Sequence, residues 1–110
     1  MVQVLISFEE EYRIYMEIIA AAIKQARPGD EVVVTQLATL EEEIDRTDPD
    51  LVISSPPIPA NPVGEGAAWV ELSLDPAKPS RFRVGERTWE STNPTLDEIL
   101  SVVDETRGAR

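Results

Sequence analysis

An α/β fold, doubly wound around a mostly parallel sheet, is what the chain predicts from three observations. Short runs rich in β-branched residues, "VQVLIS", "EVVVTQ" and "DLVISS", recur along the first half, as expected of strands covered on both faces. Segments with helical spacing lie between them, and the order strand, helix, strand, helix, strand predicts right-handed crossovers and parallel neighbours. The second half instead alternates apolar with polar residues, the pattern of strands with one dry and one wetter face. The 110 residues suit one core without disulfide or metal staples. A single domain over residues 1–106 is expected, with 107–110 as a fraying tail.

The first strand, residues 2–7, leads into "FEEEYRIYMEIIAAAIKQARPGD". Phe8, Tyr12, Tyr15, Ile19, Ala22, Ile23 and Ala26 fall on one side of a helix that Pro28 and Gly29 stop. Ile14 and Ile18 lie about 100–140° from the centre of that stripe. The helix therefore has a second apolar side, a contact for another helix or another subunit. "EVVVTQ", residues 31–36, is the second strand; Thr39 and Glu42 then have the spacing of a capping box at the start of a short helix. Asp48 and Asp50 flank Pro49 as turn residues at the entry to the third strand.

After Ser55 the pattern changes, because "PPIPANPVGEG" holds four prolines and two glycines and no regular helix runs through such a segment. A Pro-rich loop replaces the third helix. Ala68, Val70, Leu72 and Leu74 then face one way, and Trp69, Glu71, Ser73 and Asp75 the other. "AKPS" is too short for a fourth helix. "RFRVGERTWE", residues 81–90, folds around Gly85-Glu86 as a hairpin with glycine in the first turn position, extending or finishing the sheet. Thr95 and Glu98 form a second capping box, and Leu96, Ile99, Leu100, Val102 and Val103 supply the buried side of a last helix that Gly108 ends.

Composition narrows the function. The 21 acidic against 10 basic residues leave a net charge of −11, which opposes binding to nucleic acid or to an anionic membrane. Cysteine is absent, which excludes thiol catalysis, disulfides and thiolate metal sites and fits a reducing, cytoplasmic location. Histidine is absent as well, removing the commonest general base and metal ligand. The longest apolar run, "IIAAAI" at residues 18–23, is far short of a membrane span, and no basic secretion-type leader opens the chain.

With "VLISFEE" at the first strand end and "PDLVISSPPIP" at the third, the chain resembles the receiver domains of two-component response regulators. The resemblance implies a flavodoxin-like, doubly wound sheet in receiver order and acidic residues after the first strand. It also implies a phosphorylated aspartate at the end of the third strand, a hydroxyl residue ending the fourth, and a Lys-Pro after the fifth. Carried onto this chain, the acidic pair falls on Phe8 and Glu9, with Ser7 before and Glu10 after them, and the phosphoacceptor position falls on Ser55 beside Ser54. Ser73 fits the hydroxyl position; Asn93-Pro94 and Lys78-Pro79 compete for the lysine position. A serine forms no acyl phosphate, and Mg²⁺ wants carboxylates among its oxygen ligands. The expectation is a degenerate pseudo-receiver: not an enzyme, without metal or cofactor, acting in signalling through protein partners or as a homodimer.

Other readings of the same residues are weaker. Glu9, Glu10 and Glu11 suit a first helical turn, stabilised by the helix dipole, better than a metal or acid/base site. The junction "SFEEEY" has three negative charges and no glycine, so it repels a flavin or dinucleotide phosphate. Ser54 and Ser55 are expected to close their strand by bonding backbone groups beside prolines. The rival from another class is a small-ligand-binding or catalytic flavodoxin-like domain using the serine-lined strand ends. Trp69 and Trp89, with the loop residues Pro56, Pro57, Ile58 and Val63, are the expected interaction surface.

Overall fold

The computed structural model describes residues 2–55, 68–73, 75 and 77–108. In chain order it contains β1 (Gln3–Phe8), α1 (Arg13–Ala26), β2 (Glu31–Gln36), α2 (Leu40–Thr47), β3 (Leu51–Ser54), β4 (Ala68–Glu71), β5 (Pro79–Val84), β6 (Arg87–Thr92) and α3 (Leu96–Gly108). Short 3-10 turns occupy Glu10–Tyr12 and Leu37–Thr39. The fold is α/β, with one six-stranded sheet in the order β2-β1-β3-β4-β5-β6. The pairings of β1 with β2, β1 with β3 and β3 with β4 are parallel. Those of β4 with β5 and β5 with β6 are antiparallel, so the sheet is mixed where a mostly parallel one was expected. The connection at 72–78 is the reason: a parallel return needs about a dozen residues or more, and this one reverses the chain directly.

The two sheet faces carry separate cores. Val4, Ile6, Phe8, Leu51, Ile53, Val70 and Phe82 pack with Met16, Ile19 and Ile23 of α1 and with Ile99, Val102 and Val103 of α3. On the other face Leu5 and Val52 pack with Leu40 and Ile44 of α2, and Val33 and Trp69 lie against that cluster. Strands β1 and β3 are buried on both sides, which explains their continuous apolar runs. In β4 the expected alternation appears, Ala68 and Val70 buried and Trp69 and Glu71 partly exposed.

Local chemistry sets the element ends. Pro79 opens β5, a strand position where its missing N–H does little harm. Positive φ in the hairpin falls on Gly85 at 62° and not on Glu86, as a type II′ turn requires. Asp48 ends α2 in the left-handed region at φ 48°, its N–H donating to the Ile44 carbonyl at 2.9 Å. Thr95 Oγ1 accepts the Glu98 N–H at 3.3 Å, the first half of the expected capping box. Thr39 does not cap α2; its hydroxyl instead bonds the Thr35 hydroxyl at 3.1 Å and donates to the Gln36 carbonyl at 3.2 Å.

Two further expectations are corrected. Phe8 is the last residue of β1, paired with Gln36, and the buried stripe of α1 is Met16, Ile19, Ala20 and Ile23. Tyr12 and Tyr15 stand at the rim, where a phenol keeps its hydroxyl in water. Leu96 is likewise exposed at the start of α3. Ion pairs clamp the two long helices. The Arg27 guanidinium grips Asp104 with two hydrogen bonds, 2.8 and 2.7 Å, and these hold the Asp104 carboxyl below the usual carboxylate range. Arg107 pairs with Asp30, whose other oxygen accepts the Val2 N–H at 3.1 Å.

Candidate functional site

Strands β1, β2, β3 and β4 run parallel and so end along one edge of the sheet, the edge where open α/β sheets hold ligands. Ser7 and Ser54 are register neighbours there. Both side chains are fully buried, and neither hydroxyl has a hydrogen-bond partner among the described residues. Ser55 behaves differently. Its N–H donates to the Ser7 carbonyl at 3.2 Å, and its Oγ accepts the Glu9 N–H at 3.2 Å, so it ties the end of β3 to the end of β1. The strand-closing role expected of both serines belongs to Ser55. The backbone of Ser54 does contribute, its carbonyl accepting the Leu72 N–H at 2.8 Å.

The other candidate residues are dispersed around this pair. Phe8 alternates to the opposite face, where it is buried beneath α1 with its ring centre 6.1 Å from that of Tyr15. Glu9 precedes the 3-10 turn, its carbonyl accepting the Tyr12 N–H at 2.9 Å, while Glu10 and Glu11 are exposed. Ser73 is engaged in the turn after β4: its N–H donates to Ser80 Oγ at 2.8 Å, and its hydroxyl accepts the Asp75 N–H at 3.3 Å. Lys78 is exposed in the same connection, and Asn93 takes a left-handed φ of 52° before α3. Among the described residues no three His, Cys, Asp or Glu side chains converge as a metal site.

One hollow adjoins this edge, and a second opens over the outer strands. The first, of about 640 Å³, lies at the ends of β1 and β2 with Phe8 and Met16 as an apolar floor and Thr35, Arg13 and Glu17 at its rim. Arg13 is 3.4 Å from Glu17 and 4.0 Å from Glu10, so its charge is already balanced and the hollow makes a poor anion site. The other, of about 750 Å³, is an open hollow bordered by Trp69, Trp89, Arg81, Arg83, Thr88 and Glu90.

Residues from that second hollow continue a row that linear inspection misses. Strand registers align Thr35, Ser7, Ser54, Glu71, Arg81 and Glu90 across all six strands, on the α2 face. Period-two alternation places each residue on its face, but only the inter-strand register lines them up.

Of the expected interaction surface, Trp69 and Trp89 both border the second hollow, from different strands. Trp69 pairs with Arg83 on the α2 face, whereas Trp89 pairs with Phe82 on the α1/α3 face, stacked on it at 5.2 Å. Arg87 lies 4.5 Å over the Trp89 ring. Pro56, Pro57, Ile58 and Val63 lie outside the described residues. The second apolar side of α1 is present: Ile14 and Ile18 are 74% and 60% exposed. No helix among the described residues is long and apolar enough to cross a membrane. No protein-family model matches the chain, and no curated protein matches it.

Proposed function

We propose that this chain is a protein-interaction or signalling module on a receiver-like scaffold that carries no phosphoacceptor chemistry, with the outer face of α1 as its contact surface. The observation that carries the reading is the exposure of Ile14 and Ile18, one helical turn apart on α1, whose other side is buried against the sheet. Contiguous exposed apolar surface marks interaction sites. The receiver-like scaffold is supported by the order β2-β1-β3-β4, with α1 on one face and α2 on the other; the antiparallel β5 and β6 depart from that family. Loss of phosphoryl chemistry is supported by Ser55, a buried hydroxyl already bound to the Glu9 amide, and by Phe8, a ring turned into the core.

A photo-crosslinking residue placed at position 18, with Glu98 as an exposed control, tests the contact surface in cells. Protein adducts at position 18 and not at 98 are expected; equal yields at both refute the reading. Adding Mg²⁺ and beryllofluoride while following amide shifts tests the chemistry. No response is expected, and a saturable shift around Ser55 would overturn it.

One observation favours a second reading. The Ser7 and Ser54 hydroxyls are buried without partners among the described residues, and a small polar ligand at the strand ends would satisfy them. Soaking with small polyols and watching the amides of Ser7 and Ser54 separates the two readings, since the interaction module predicts no shift.

A further inference from the structure

The outer face of α1 is complementary to itself in one orientation. Ile14, Ile18, Ala21 and Gln25 are all exposed and spaced 4, 3 and 4 residues apart, the alternation that keeps one seam of a helix turned toward a helical partner. The seam is branched and apolar in its first half, with two isoleucines, and short or flexible in its second, with alanine and glutamine. One flank repeats the trend, Tyr15 followed by Ala22 seven residues on. The opposite flank carries Glu17 and, seven residues later, Lys24. Lys24 is exposed and makes no ion pair among the described residues.

We infer that α1 pairs antiparallel with α1 of a second copy of this chain, across a two-fold axis between the Ile18 and Ala21 layers. In that register Ile18 packs on Ala21 of the second copy and Ile14 on its Gln25, so each large side chain meets a small or pliable one. Tyr15 lies over Ala22. Glu17 faces Lys24 of the second copy, and the two-fold repeats that pair. A parallel arrangement stacks isoleucine on isoleucine and leaves Glu17 and Lys24 without opposite charges, so size and charge both select the antiparallel one. The contact is isologous, the commonest arrangement for a homodimer, and a single helix pair puts it among the smaller, weaker interfaces. This inference rests on reading the outer face of α1 as a contact surface and goes further by naming the occupant.

Sedimentation velocity of the purified chain, over roughly a hundredfold range of concentration, gives the test. A monomer–dimer equilibrium is expected. Ile18→Glu buries a charge in the seam and weakens association on the order of a hundredfold, with an unchanged thermal transition at concentrations where the chain is monomeric, because the side chain is exposed there. Glu17→Lys and Lys24→Glu each turn two attractions into repulsions and weaken it about tenfold. An equimolar mixture of those two variants regains the wild-type affinity, because the mixed pair again holds two acid–base contacts. A chain that stays monomeric throughout, a dimer indifferent to Ile18→Glu, or a mixture no tighter than its components overturns the inference. The crosslinker at position 18 separates this failure from that of the broader reading. Adducts to another protein from a chain that is monomeric when pure would overturn self-pairing alone, and equal labelling at 18 and 98 would overturn both.

Discussion

Ser54 and Ser55 are adjacent in the chain and have opposite stability roles, so replacing each with alanine should move stability in opposite directions. Ser55→Ala removes the acceptor that binds the Glu9 N–H at 3.2 Å. A hydrogen bond of this kind contributes about 1 kcal/mol net, and Glu9 is only partly buried, so water limits the penalty on its stranded amide. A loss of about 1 kcal/mol follows. Ser54→Ala deletes a hydroxyl that is fully buried without a partner among the described residues. Burying such a group costs about 1–3 kcal/mol; the small void left by one oxygen offsets part of the relief, leaving a gain of about 1 kcal/mol. The two variants should therefore differ by about 2 kcal/mol, or about 8 °C in Tm for a domain of this size. Thermal and urea unfolding followed by Trp69 and Trp89 fluorescence measures the difference directly. If Ser54→Ala loses 1 kcal/mol or more, its hydroxyl has a partner and the assignment of Ser55 as the sole strand-closing side chain fails.

Three other perturbations probe the fold. Asp104 has a folded-state carboxyl held below its ordinary range by Arg27, so the stability it adds is present above the unfolded-state pKa and is lost as pH falls through the folded one. The pair is solvent-exposed, which limits the effect to less than about 1 kcal/mol; Asp104→Asn should flatten that part of the acid-unfolding profile below about pH 4, and an unaltered profile would count against the clamp. Gly85→Ala at φ 62° should cost about 1 kcal/mol, whereas Gly29→Ala, with open space around it, should stay within about 0.5 kcal/mol; equal effects in urea melts would contradict the hairpin geometry. Ile18→Ala should likewise stay within about 0.5 kcal/mol in the monomer while Ile19→Ala costs about 2–5 kcal/mol, and a reversed ranking would mean that α1 is rotated about its axis.

Much of the architecture is legible along the chain because burial on both faces leaves continuous apolar runs. β1 and β3 are such strands, and their neighbours on either side follow from the helical spacing between them. The hairpin at Gly85-Glu86 is equally readable, since a positive φ selects glycine. The rotational setting of α1 is less so. Tyr12 and Tyr15 score as apolar in a periodicity yet stand at the rim, and Met16, outside the expected stripe, takes a buried position. The Thr39 cap was lost to competition: its hydroxyl found Thr35 on the neighbouring strand, a partner that no local motif contains.

Alternation, helix spacing and turn chemistry are properties of neighbours in the chain, and they determined the elements, their approximate limits and the faces of β4 in advance. Tertiary structure alone decided what lies side by side. Strand register aligned Ser7 with Ser54, gave Ser55 the Glu9 amide, put Trp69 and Trp89 on opposite faces and assembled the polar row from Thr35 to Glu90. The physical reason is that backbone hydrogen bonding between strands sets register through long-range contacts. A residue's chemistry fixes which face it prefers, while its neighbours across the sheet depend on where another strand, tens of residues away, comes to rest.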